Sequence, residues 1–497
     1  MPVALLIAAA LWGGEAPLAP PTLAALDHIR ASSLRGHLSF IASDLLEGRA
    51  TPSRGLDLAA EYIAAQFRRA GLEPAGDDAY FQTADMVDVE PAKSGFEMRI
   101  EEGGRTISVT RDEITPGFRH PLELPGGEIY KVDCNDEASL ERLSSEDVQG
   151  KVLAAELPEL SGATADGAVR KFGALRAAVR RVKPRLTLLL TLGGLAEMNT
   201  RLMSPENAER ESLHMIVRSP DALSWFGPLK PGATGAIFTL HYPEPNETRV
   251  KLRNVIGLLR GSDPVLSKTY VLVTAHYDHL GMKPAGPGDR IFNGANDDGS
   301  GTASVIELAA ALATLEPHPK RSIVFLTFFG EEIGTLGSRY YAQHPVFPIE
   351  KTVADVNLEQ VGRTDATDGQ KRSQATFTGF DYSDLPRVFR RAGARTGVRV
   401  LSDALYGDSF FSRSDNAPLA SVGIPAHTLA VAFGFPDYHE VGDEWQKIDY
   451  DNMAKIDRMV ALGVILLADK TQPPTWNDAN SRAEPYAKAW REHHTAR

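Results

Sequence analysis

Acidic and histidine residues gather at five places in the second half of this 497-residue chain: His276-Tyr277-Asp278-His279, Asp297-Asp298, Glu331-Glu332, Glu359, and Asp437-Tyr438-His439-Glu440 with Asp443. A single carboxylate is most often a solvated loop charge. Five clusters, each beside an apolar sheet-like segment, are hard to explain that way. Several acids converging on one place need a cation to offset their repulsion, and histidine mixed with carboxylate is zinc chemistry. The His-x-Asp spacing of His276 and Asp278 suits a ligand histidine oriented by a nearby acid. In "NGANDDGSG" two adjacent aspartates sit among glycines just before a helical pattern. One such aspartate can offer an oxygen to each of two metal ions about 4 Å apart.

The elements around these clusters give them a common location. "YVLVTA", "RSIVFLTFFG" and "KTVADVNLE" are near-continuous apolar runs, the pattern of strands buried on both faces. Between the first two, "GTASVIELAAALATL" places Val305, Leu308, Leu312 and Leu315 at helical spacing. Further on come the helix pattern "DLPRVFRRAGARTG", the strand "GIPAHTLAV" and a closing helix "NMAKIDRMVALGVILLAD". Strands alternating with helices predict an α/β fold, a three-layer sandwich whose central mixed sheet is mainly parallel. In such sheets sites form at the C-terminal ends of the strands, where these acids and histidines fall.

Upstream, "SRGLDLAAEYIAAQFRRAG" puts Ala59, Ile63, Phe67 and Ala70 on one stripe with Gly71 as a stop. Residues from about 81 to 110 favour strands. From about 122 to 247 short strand candidates mix with the Arg-rich "ALRAAVRRVK" and carry no concentrated acid or histidine cluster. This stretch reads as an inserted, smaller α/β domain, and 27–121 with 248–470 as the domain bearing the chemistry. Residues 471–497 read as a polar, loosely packed tail. Residues 1–20 contain the apolar run Val3–Trp12, too short to span a bilayer but suited to a secretory signal, although no Lys or Arg precedes Arg30. That leader implies export to the periplasm or medium. The net charge of −12 argues against a nucleic-acid partner. No later segment is apolar enough for a membrane span. The single Cys134 excludes an intrachain disulfide and reads as a small buried hydrophobe.

In order and spacing, "AHYDHLG", "GANDDGSG", "FFGEEIGTLGS", "NLEQVGR", "SDNAPLASVGIPA" and "DYHEVGDEW" resemble the co-catalytic di-zinc aminopeptidases. That family also contains glutamate carboxypeptidase and the non-enzymatic transferrin receptor. The resemblance implies a zinc-exopeptidase fold with a protease-associated insert, peptide substrates and two Zn2+. It implies His276, Asp297 and Glu359 as ligands of one ion, and Asp297, Glu332 and His439 as ligands of the other, with Asp297 bridging. Glu359 departs from the family's usual Asp and carries the same ligating group on a longer stem. The resemblance also implies Asp278 as the residue orienting His276 and Glu331 as the general base acting on a metal-bridging water. Tyr438, beside His439, is a candidate oxyanion donor, with Tyr406 a weaker rival. His279 reads as a loop or supporting residue, His427 as a core-strand histidine, and Ser414-Asp415 as support for the site. The alternatives are a carboxypeptidase of the glutamate-releasing type, which needs a cationic pocket that Arg363 or Arg413 would have to supply, and a non-catalytic binding protein on the same scaffold. A glutaminyl-cyclase-like reading is weaker, because His276 keeps the two-metal ligand set. The sequence is silent on oligomeric state.

Overall fold

A computed structural model describes residues 17–157, 165–192, 202–203, 213–283, 285–402 and 407–495. Most of the expected leader and Tyr406 lie outside the described residues. The larger sheet runs, in spatial order, Arg399–Leu401, Gln374–Phe377, Ala426–Ala430, Thr352–Leu358, Tyr270–His276, Ser322–Phe328, Asn246–Leu259, Phe81–Glu90 and Leu202–Met203. The short Glu73–Pro74 pairs beside Asn246–Leu259. Tyr270–His276 is parallel to both its neighbours, and Thr352–Leu358 is parallel to Ala426–Ala430. Asn246–Leu259 is antiparallel to both strands it separates, and Gln374–Phe377 is antiparallel to Ala426–Ala430. The sheet is therefore mixed, with a parallel centre of four strands, rather than mainly parallel. Apolar runs reveal burial on two faces; they do not reveal strand direction at the flanks.

Helices cover both faces of that centre, as strand periodicity requires. Val271, Val273 and Ala275 pack with Ile323 and Phe325 against helices Arg54–Arg69, Gly301–Leu312, Leu385–Thr396 and Tyr450–Asp469. Leu272, Val324, Leu326 and Phe328 face the other way, toward Tyr341, Leu419, Ala483 and Ala487. The last two residues show that the supposed tail is docked: helix Glu484–Thr495 lies on this face, and the Trp476 indole donates to the Gly423 carbonyl at 2.8 Å. Its polar composition hid a few apolar anchors.

A second sheet has the order Arg105–Ser108, Glu97–Glu102, Gly232–Tyr242, Leu122–Val132, Val152–Glu156, Leu186–Leu190, His214–Val217 and Ile114–Pro116. Its strands thus begin at Glu97, on the near side of the boundary expected at 122. Glu97–Glu102 pairs with Gly232–Tyr242, a partner more than a hundred residues away that local pattern cannot name. Cys134 is buried and is in no disulfide.

One buried group in the first core gives a pH test. The Asp457 carboxyl on helix Tyr450–Asp469 is fully buried, and burial pushes it from 3.8 up to about 8, with the facing Ser304 hydroxyl opposing and Glu307 adding to the shift. The folded chain then holds a proton that the unfolded chain releases near pH ~4, so stability falls as pH rises from about 4 through about 8. Asp457→Asn removes this group's share. Its Tm, followed by calorimetry, should fall less over that range than the parent's. Parallel curves would show Asp457 ionised in the folded state.

Candidate metal centre

The parallel centre brings its strand ends to one place. His276 closes Tyr270–His276, Glu331 and Glu332 follow Ser322–Phe328, and Glu359 follows Thr352–Leu358. Asp297 lies in the turn Ala295–Ser300 that leads into helix Gly301–Leu312, and His439 lies in the loop beyond Ala426–Ala430. The two oxygens of Asp297 face different histidines: Oδ1 is 3.4 Å from His276 Nε2, and Oδ2 is 3.2 Å from His439 Nε2. His439 Nε2 is also 3.3 Å from Glu332 Oε2. Ligand-type atoms of His276, Asp297 and Glu359 lie within 4.8 Å of one another, as do those of His279, Asp297 and Glu332. Asp297 is the member common to both sets.

Donor chemistry and unpaired atoms both fit a metal. Both ring nitrogens of His276, Nε2 of His279 and Oε2 of Glu359 are buried without a hydrogen-bond partner. Such orphans are costly unless something else satisfies them. The carboxyls also feel one another. Burial raises Glu331 well above the usual range, with Glu359 and Glu332 adding repulsion, and Glu359 is pushed up to about 7 chiefly by burial. Glu332 goes the other way despite burial, held down at about 2 by His439 and His279.

The turn that carries Asp297 is held by its neighbours. The Asp443 carboxylate accepts from the Asn296 N–H at 2.9 and 3.0 Å and from the Asp297 N–H at 3.0 Å. Asp298 accepts from the Gly301 N–H at 2.9 Å and the Gln360 N–H at 3.1 Å, so the second aspartate anchors the turn to the segment bearing Glu359. Gly294, at φ +56°, lies where a Cβ would come 2.4 Å from both the Asp297 carbonyl oxygen and the His279 ring. No other residue type meets that approach without displacing one of them.

Asp278 Oδ1 is 3.4 Å from His276 Nδ1 and accepts from the Glu331 N–H at 3.1 Å. It therefore links the histidine to the segment bearing Glu331, whose Oε2 is 4.0 Å from His276 Nε2. Tyr438 stacks on His439 with ring centroids 4.0 Å apart and is 37% exposed. Of the two readings of His279, loop or supporting residue, the geometry fits the second: its ring is fully buried, with Nδ1 2.6 Å from Glu332 Oε1. His427 is a satisfied core histidine, 2.6 Å from the Ser383 hydroxyl and 2.8 Å from the Thr378 carbonyl.

Sequence reasoning missed Arg49. This wholly buried side chain donates to the carbonyls of Tyr277, Ile41, Asn293 and Gly294 at 2.6–2.9 Å. It joins the loop after His276 to the loop before Asp297. Burial lowers it to about 10, opposed by Asp278 and Asp443, so it stays charged at neutral pH. A wider groove lined by Arg35, Arg372, Lys447, Asp449 and Tyr450 holds ion pairs such as Arg372–Asp449 at 3.0 Å, and no metal-type side-chain set among the described residues.

Fold and site together define an α/β protein with a histidine–carboxylate cluster at its parallel strand ends. Residues 254–464 match the model of peptidase family M28. Aminopeptidase YwaD of Bacillus subtilis is 29% identical over 209 residues, 41% of each chain. Leupeptin-inactivating enzyme 1 of Streptomyces exfoliatus is 30% identical over 162 residues, 32% of this chain and 34% of that protein. A probable zinc metalloprotease of Pyrenophora teres f. teres is 38% identical over 135 residues, 26% of this chain and 28% of that protein. These matches span less than half the length of the relatives. Among solved structures, the aminopeptidase from Aneurinibacillus sp. strain AM-1 superposes with a TM-score of 0.56 at 19% identity, over 89% of this chain and 95% of that one. BSAP, a zinc aminopeptidase from Bacillus subtilis, gives 0.51 at 20% identity over 88% and 94%. These two likenesses establish the shared α/β fold.

Proposed function

We propose that this protein is an exported zinc-dependent aminopeptidase that hydrolyses the N-terminal peptide bond of peptides. The observation that carries the reading is the split of Asp297, one oxygen toward His276 and the other toward His439. In this reading His276, Asp297 and Glu359 would hold one Zn2+, and Asp297, Glu332 and His439 would hold a second. His279 occupies Glu332 Oε1 and leaves Oε2 for the metal side. Zinc held there supplies Lewis acidity toward water and toward the scissile carbonyl.

The chain's own groups do the rest. Glu331 takes the proton of the attacking water and returns it to the leaving amine. Asp278, with Oδ1 3.4 Å from His276 Nδ1, orients the ring and fixes which nitrogen faces the metal. Tyr438 donates a hydrogen bond to the oxygen that gains negative charge. N-terminal cleavage is supported by the aminopeptidase names of the relatives. The second sheet is assigned as the protease-associated-like insert. Arg363 does not make a carboxylate pocket, because Asp365 and Asp437 already pair with its guanidinium at 2.6 and 2.8 Å.

The test is hydrolysis of an aminoacyl-p-nitroanilide panel, each member with its N-acetylated twin, after chelation and again after zinc is restored. Zinc-dependent cleavage of the free-amine substrates alone is expected. Cleavage of the acetylated twins would contradict the requirement for a free amine. Failure on every substrate with zinc bound would favour the non-catalytic reading.

A further inference from the structure

The pocket beside Asp297, Glu331, Glu332, Glu359 and His439 contains a cation that the proposed chemistry does not use. Arg413 lines it, half-buried, with its guanidinium 4.3 Å over the Phe410 ring, and Phe410 packs 5.1 Å from Phe433 in the same wall. The Arg413 N–H donates to the Phe410 carbonyl at 3.1 Å, which fixes the turn carrying the side chain. Unlike Arg363, the Arg413 side chain forms no ion pair or hydrogen bond among the described residues. Stacking holds the guanidinium plane, and among the described residues none takes its N–H edge. A planar fork held in this way matches a carboxylate with two parallel hydrogen bonds. Asp297 and Glu332 do not meet that need, because their carboxylates are turned toward the histidines.

We propose that Arg413 is the specificity-determining residue of this pocket and that it recognises a substrate carboxylate close to the bond being cut. The inference rests on the peptidase reading above. Such a carboxylate has two sources: the acidic side chain of an N-terminal Asp or Glu, or the terminal carboxylate of a dipeptide.

The experiment compares kcat/KM for Glu-p-nitroanilide against Gln-p-nitroanilide, and for Ala-Ala against Ala-Ala amide. Zinc-loaded parent, Arg413→Met and Arg413→Lys are assayed together. The parent should prefer the carboxylate member of one pair, and that pair identifies the source. Arg413→Met should reduce this preference by ~10- to ~100-fold, the worth of a charge-assisted hydrogen bond. Arg413→Lys should keep part of it, since the charge remains without the fork. A preference unchanged in Arg413→Met overturns the inference. So does an equal fall on both members of a pair, which would place Arg413 on a neighbouring group such as Tyr438. The absence of any zinc-dependent cleavage by the zinc-loaded parent overturns the peptidase reading, and this inference with it.

Discussion

Glu331→Gln should lower turnover by at least ~10²-fold, the scale of losing a general base, while zinc content measured by elemental analysis stays at the parent level. The substitution keeps the shape of a side chain that follows strand Ser322–Phe328, and keeps the backbone N–H that Asp278 accepts at 3.1 Å. It removes only the ability to take up a proton. Asp297→Asn is the contrasting variant. It replaces one of two oxygens that face different histidines with an amide, so metal content itself should fall. The pair separates proton transfer from metal retention. Near-parent turnover in Glu331→Gln would remove Glu331 from the role. Full metal occupancy in Asp297→Asn would remove Asp297 from the shared position.

Much of the site was legible because its residues sit where apolar strands stop. The run "YVLVTA" announces its own end, and His276 is the next residue; the same holds for Glu331 after "IVFLTFFG" and Glu359 after "VADVNL". Strand ends in a parallel centre meet in space, so residues far apart in sequence could be placed together without knowing their neighbours. What stayed hidden depends on pairings that local pattern does not encode. Glu97–Glu102 reads as a strand, but nothing in it names Gly232–Tyr242 as its partner. The tail's Ala483 and Ala487 bury themselves through a stripe too small to register against a polar background. His279 was read as a loop or supporting residue, and that Glu332 is what it supports is a matter of loop shape. The anchoring of Asp298 was likewise hidden, because the Gly301 and Gln360 N–H groups that meet its Oδ1 come together only in the fold.

Arg49 is the strongest example of what sequence conceals, and its replacement should be the most destabilising change near the site. The arginine follows Gly48 in a turn with no other mark of function, and its partners come from residues 41, 277, 293 and 294. Arg49→Met fills much of the volume but takes the guanidinium donors from four buried carbonyls, of which that of Gly294 still accepts from the Gly299 N–H at 3.1 Å, and takes a positive charge away from Asp278 and Asp443. Removing one side of a buried charged network typically costs ~3–5 kcal/mol. Urea unfolding of Arg49→Met should therefore show a midpoint lowered by ~1 M or more, with an unchanged slope, given typical slopes of 1–3 kcal/mol per molar. A midpoint equal to the parent's would mean that water replaces the guanidinium without loss. Arg49→Lys distinguishes charge from shape. Lysine restores the cation but gathers its three donors on one atom, which cannot reach carbonyls on opposite sides of a planar fork. If shape governs, the lysine variant should unfold nearly as early as the methionine variant. It should also bind zinc less tightly than the parent while still folded, because the loops bearing His276 and Asp297 would no longer be tied to one another.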